Sequence, residues 1–109
     1  MIGTWIAGSR NGMKPSLESL YYYLSMIEQA KVQHPWYVSI WGQGALDDTD
    51  VLRRTIELGG HIKTGLELFY DPARNPTNLE LLQQAQEIAR EVGRPVATQA
   101  EARALYNIV

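Results

Sequence analysis

There is no cysteine in the 109 residues. That excludes a disulfide framework, a thiolate nucleophile and a Cys-ligated zinc, and it fits a reducing compartment such as the cytoplasm. No apolar run approaches the ~18 residues of a membrane span. The first residues lack the basic-then-apolar pattern of a signal peptide, so no membrane partner is expected. Lys and Arg number 10 against 12 Asp and Glu, for a net charge of -2. No basic cluster offsets that balance, which argues against a nucleic-acid partner. Low-complexity tracts are lacking too, and the only repetition is an alternation of strand, loop and helix.

What remains is the composition of an ordinary globular domain, 45% apolar and 20% charged, long enough for one modest core. Thr4-Trp5-Ile6-Ala7 reads as a strand, followed by the loop Gly8-Ser9-Arg10-Asn11-Gly12. Ser16 is placed to cap a helix whose stripe is Leu17, Leu20, Tyr21, Leu24, Ile27 and Lys31, with His34-Pro35 predicted to stop it. Trp36 to Trp41 is the next strand, broken by Gly42-Gln43-Gly44. Asp47, Asp48 and Asp50 crowd the start of a second helix, where the helix dipole favours acidic groups. Val51, Leu52, Thr55, Ile56 and Leu58 are its expected inner face, with Gly59 or Gly60 at C′.

From His61 to Leu68 the residues alternate like a strand, with His61, Lys63, Gly65 and Glu67 on one face and Ile62, Thr64, Leu66 and Leu68 on the other. The loop Asp71 to Pro76 follows. Thr77-Asn78-Leu79-Glu80 is a capping box. It opens a helix with Leu81, Leu82, Ala85, Ile88, Ala89 and Val92 on one stripe, closed by Gly93. Thr98-Gln99-Ala100-Glu101 is a second box, for a short helix holding Ala102, Leu105 and Tyr106.

Three strand–helix units in succession predict an α/β fold with a parallel sheet and right-handed crossovers. Three parallel strands cannot close on themselves, so two edges and one sheet face are expected to stay uncovered. The chain reads as part of something larger.

Glu67 draws attention as a carboxylate at the C-terminal end of a strand, where α/β sheets place their chemistry; a solvated or capping glutamate is the alternative. Lys63, a cation within a strand, needs a carboxylate, an anion or water. Regular strand geometry would set the two Cα atoms ~13 Å apart, flanking a small substrate. The loops at Arg10 and Asn11 and at Gly42 offer backbone amides to an anion, or are simple turns. Arg74 is within the next loop, as a substrate contact or a solvated arginine. His34 and His61 fall at the opposite end of the strands and read as surface or packing residues. Tyr21-Tyr22-Tyr23 and Trp41 read as core and interface aromatics.

The run Gly59-Gly60-His61-Ile62-Lys63-Thr64-Gly65-Leu66-Glu67 resembles the signature of the β-keto acid cleavage enzymes, roughly Gly-Gly-His-Val-Arg-Val-Gly-Leu-Glu-Asp-Asn. Asn11 to Ser16, Trp36 to Gly42, Thr77 to Leu81 and Gly93 to Arg103 extend the resemblance over essentially the whole chain. It implies a TIM (β/α)8 barrel of which residues 1–109 supply strands six to eight, an incomplete barrel whose N-terminal portion is absent; Met1 need not be the natural start. It further implies retro-Claisen cleavage of a β-keto acid with acyl transfer to acetyl-CoA, and a zinc ion. Glu67 would be a metal ligand and Lys63 a catalytic cation. Arg10, Asn11, Gly42 and Arg74 would face substrate or CoA, and the full-length protein would be a homo-oligomer. The departures are Lys63 for arginine, Leu68 for aspartate and Phe69 for asparagine. The metal-ligating histidines of the family belong to a strand this chain does not contain. A fragment inactive alone is therefore expected; the alternatives are a non-enzymatic α/β interaction module, or a barrel relative that has lost the chemistry.

Overall fold

Strands and helices alternate along most of the chain, and every strand pairing among the described residues is parallel. The computed structural model describes residues 4–6, 13–43, 46, 49–71 and 73–109. The order is β1 (Thr4–Ile6), α1 (Leu17–Gln29), β2 (Tyr37–Gln43), α2 (Thr49–Glu57), β3 (His61–Ile62), β4 (Phe69–Tyr70), α3 (Asn78–Val92) and α4 (Gln99–Leu105). β2 is the hub. Its residues Ser39, Ile40 and Trp41 pair with Thr4, Trp5 and Ile6 of β1. Tyr37 and Val38 pair with His61 and Ile62 of β3, and Gly42 and Gln43 with Phe69 and Tyr70 of β4.

The stretch expected as one strand from His61 onward is thus two short pieces. Between Val38 and Gly42, β2 advances 4 residues (42 − 38), while from Ile62 to Phe69 the other segment advances 7 (69 − 62), so three extra residues must leave the ladder. They leave through a turn in which the Leu68 and Phe69 N–H groups both donate to Gly65 O, at 3.0 and 3.2 Å. Asn78, the first residue of α3, accepts from the Leu66 N–H through Oδ1 at 3.0 Å. Gly65 has φ 159, which side chains rarely adopt. The expected alternation therefore fails past Lys63: Leu66 is 50% exposed, Leu68 only 3%, and Glu67 sits exposed inside the turn.

The three longer helices pack on one sheet face. Val38 and Ile40 of β2 meet Leu20 of α1, Val51, Leu52 and Ile56 of α2, and Leu81 and Ile88 of α3 in one cluster, with Ile62 and Phe69 against it. These residues share one strand parity, so Tyr37, Ser39 and Trp41 belong to the other face. Arg53 pairs with Glu91 and binds α2 to α3, while the Arg54 Nε donates to the Tyr21 hydroxyl at 2.9 Å and links α2 to α1. Four apolar stripe residues depart from expectation, beginning with Leu17 and Tyr21 of α1, which are exposed. Leu58 lies past the end of α2 and Leu82 flanks the stripe of α3, and both are exposed.

Caps fix the helix ends. Ser16 accepts from the Ser19 N–H, and both predicted capping boxes form at Thr77–Glu80 and Thr98–Glu101. Each of the four helices then closes with the same pair of backbone bonds, one from the residue at C′ and one from the residue after it. In α2 these run from Gly59 N–H to Ile56 O and from Gly60 N–H to Thr55 O. Gly59 and Gly93 take the left-handed conformation, at φ 86 and 82, and so do Lys31 and Asn107, at φ 54 and 53. Lys31 explains why α1 ends at Gln29 rather than at His34-Pro35. Gly60 serves a different need: a Cβ there would collide with the Trp36 ring. The guanidinium of Arg94 donates to Ile56 O at 3.2 Å and to Gly60 O, joining the end of α3 to the end of α2 and the start of β3.

Candidate functional site

The C-terminal ends of β2 and β4 meet where the sequence placed its chemistry. Gly42 pairs with Phe69, and the Arg74 guanidinium carbon lies 5.3 Å from the centroid of the Phe69 ring. Phe69 in turn packs on the helix-side core, so Arg74 is stacked on an anchored ring. The loop bearing Arg74 is shaped by Asp71, whose Oδ1 accepts from the Ala73 N–H at 2.9 Å and whose carbonyl accepts from the Arg74 N–H at 3.2 Å. An open hollow of about 630 Å³ lies between Leu66, Phe69, Arg74 and Pro76. Glu67 stands exposed in the turn beside it. Arg10 and Asn11 lie outside the described residues.

Lys63 belongs to a different row. Its N–H donates to Val38 O at 3.1 Å, the first half of the rung after Val38–Ile62, which sets Lys63 level with Ser39 on the face away from the helices. Leu68 is the last residue of the turn that precedes β4. Leu68 is buried outside the main cluster. Ser39 is 1% exposed, and its Oγ has no hydrogen-bond partner among the described residues; the same holds for the buried Trp41 Nε1. The buried Thr55 hydroxyl, in the helix layer, donates to Val51 O at 2.8 Å. A third unpartnered polar atom, the Tyr23 hydroxyl on α1, has its pKa pushed up to about 12, first by burial and then by Tyr37.

The two histidines lie at the opposite end of the strands. His61 opens β3, as predicted, with its ring centroid 6.4 Å from that of Tyr106. Burial first, and then the charge of Arg94, hold its pKa below the ordinary value. His34 is exposed before β2. Among the described residues no group of three or more His, Cys, Asp or Glu is placed to hold a metal ion. Glu67 is a single carboxylate, and the residues present do not make a zinc site by themselves.

Sequence reasoning named Lys63, Glu67, Gly42 and Arg74 but missed Ser39 and Asn78. Ser39 carries a faint signal: it is the one small polar side chain in an aromatic and β-branched strand. Asn78 reads only as the residue after an N-cap, because its bond to the Leu66 amide spans 12 positions.

The profile of a family described as BKACE, beta-keto acid cleavage enzyme, matches residues 1–108. A relative in Cupriavidus necator, 3-oxoadipate:acetyl-CoA acetyltransferase, is 34% identical over 110 aligned positions covering 95% of this chain. The chain spans 37% of that relative's length. No helix among the described residues is long and apolar enough to cross a membrane.

Proposed function

The chain belongs to the beta-keto acid cleavage enzyme family, and from that premise we propose that it is the C-terminal part of a metal-dependent enzyme that cleaves a β-keto acid with acyl transfer to acetyl-CoA. The observation that carries this reading is the family match over residues 1–108 combined with coverage of only 37% of a full-length acetyltransferase. Residues 1–109 then form one unit of a (β/α)8 barrel, contributing strands six to eight, with β3 and β4 as the two halves of the last. The parallel ladder and the one-sided helix layer suit that role, since a barrel wall has helices outside and a substrate-facing interior. An incomplete wall should be inactive by itself.

In this reading the rim loops and Arg74, stacked on Phe69, face the acetyl-CoA co-substrate or the acid. Lys63 lies on the interior face, where its ammonium offsets the negative charge of the acid or of the enolate that forms as the C–C bond breaks. Glu67 gives one carboxylate to a zinc site whose other ligands come from the part of the barrel absent here. The complete protein would be a cytoplasmic homo-oligomer. A second reading, a barrel relative that has lost the family chemistry, is favoured by one observation: Leu68 is buried and apolar where the family signature has an aspartate.

The test is a chimera in which residues 1–109 replace the corresponding C-terminal part of the Cupriavidus necator relative. Acetyl-CoA-dependent cleavage of 3-oxoadipate by the folded chimera, lost in Glu67→Gln, is the expected outcome. A folded, zinc-loaded chimera without turnover would contradict the enzymatic reading and favour the second. Turnover indifferent to Glu67→Gln would remove Glu67 from the site.

A further inference from the structure

The sheet face away from the helices brings three hydrogen-bond donors to neighbouring positions. Ser39 and Trp41 are two residues apart on β2, so their side chains share that face. Lys63 stands level with Ser39 through its bond to Val38 O. The Trp41 indole is a donor only, an ammonium is a donor only, and a serine hydroxyl with no acceptor beside it has a proton to give. Ser39 Oγ and Trp41 Nε1 are both buried without a partner among the described residues, a costly condition for two polar atoms that share one sheet face.

Two donor-only groups and a hydroxyl free to donate, with one positive charge, suit an acceptor-only anion. The spacing of adjacent strands and of alternate residues along a strand brings such groups within reach of one planar, two-oxygen ligand. Phosphate would need more than one cation to balance its charge, whereas a carboxylate needs one. We propose that Ser39, Trp41 and Lys63 form a cradle for the carboxylate of an acid ligand, the ammonium neutralising it while the hydroxyl and the indole N–H fix its orientation. That the acid is a β-keto acid rests on the function proposed above; the cradle itself rests on the sheet register and the two unpartnered donors.

The experiment follows the Trp41 indole N–H resonance of the intact, isotope-labelled chain during titration with acetoacetate, with Trp41→Phe identifying the peak. Butanone supplies the ketone without the charge, and acetate the charge without the ketone. The expected result is a saturable downfield shift with acetoacetate and none with butanone. Ser39→Ala should weaken binding about tenfold, as loss of one hydrogen bond to a charged group does. Ser39→Thr should restore most of it, and Lys63→Met should abolish it. No shift with acetoacetate, an equal shift with butanone, or an affinity unchanged in Ser39→Ala would overturn the cradle. Acetate binding as well as acetoacetate would support the cradle and count against a β-keto acid as its ligand. Acetoacetate binding indifferent to Ser39→Ala and Lys63→Met would leave the enzymatic reading standing and place the acid elsewhere.

Discussion

The two faces of β2 obey opposite rules. Toward the helices, Val38 and Ile40 are buried in a cluster of aliphatic side chains from three helices, where the Thr55 hydroxyl is satisfied by its own helix while the buried Tyr23 hydroxyl of α1 has no partner among the described residues. Toward the other side, the residues at alternate positions are Tyr37, Ser39 and Trp41, with Lys63 level with Ser39, and two buried donors have no partner among the described residues. The helix side has the composition of a finished core. The other side has a polar, cationic make-up that no folding requirement explains. That difference in composition is what supports the proposed ligand-facing role of the second side.

On the helix side the largest loss is expected from Leu52→Ala or Leu81→Ala, each about 2–5 kcal/mol in urea denaturation, because a buried leucine leaves a cavity. Leu82→Ala, at a residue 53% exposed, should stay within about 0.5 kcal/mol. Equal losses at Leu81 and Leu82 would mean that something covers the outer side of α3. Gly60→Ala should cost about 1–3 kcal/mol through the clash with Trp36. Trp36→Leu should suppress that cost, which a purely conformational role for Gly60 would not allow.

The helix caps are worth less. Thr77→Ala and Thr98→Ala should each cost about 1 kcal/mol, read as a lowered unfolding midpoint. Lys31→Gly should gain about 1 kcal/mol by relieving a left-handed residue that has a Cβ. The smallest effect is on pH dependence. His61 has its folded pKa below the ordinary 6.5, so the unfolded chain binds the proton more readily. Its contribution is full above that value, falls as the pH drops through the window down to the folded pKa, and is constant below it. His61→Gln should flatten that part of the stability profile. A profile unchanged by His61→Gln would show that the imidazole is not held neutral.

Much of the helix side was legible in the sequence, because its signals are local. The capping boxes at Thr77 and Thr98, the serine cap at Ser16 and the glycines at 59 and 93 each work within one turn of chain. The end of α1 was not, since Lys31 enters the left-handed region without a glycine to announce it. The break between β3 and β4 escaped for a related reason. Ile62, Thr64, Leu66 and Leu68 alternate as a strand would, and what overrides the alternation is Gly65 together with an asparagine 12 residues downstream of the amide it holds. Of the candidate site, Lys63, Glu67, Gly42 and Arg74 were visible as charges and glycines beside strand ends. Ser39 was not, because its interest lies in being buried without a partner, which only the packed structure displays.

The contrast between the two faces is tested most directly by unfolding free energies for adjacent residues of one strand, Ile40→Ala and Ser39→Ala. Ile40→Ala should lose about 2–5 kcal/mol. Ser39→Ala should lose nothing or gain about 1 kcal/mol, because it removes a buried hydroxyl that the fold does not satisfy. A loss at Ser39 comparable with that at Ile40 would show the hydroxyl to be structural and would contradict the assignment of that face to a ligand.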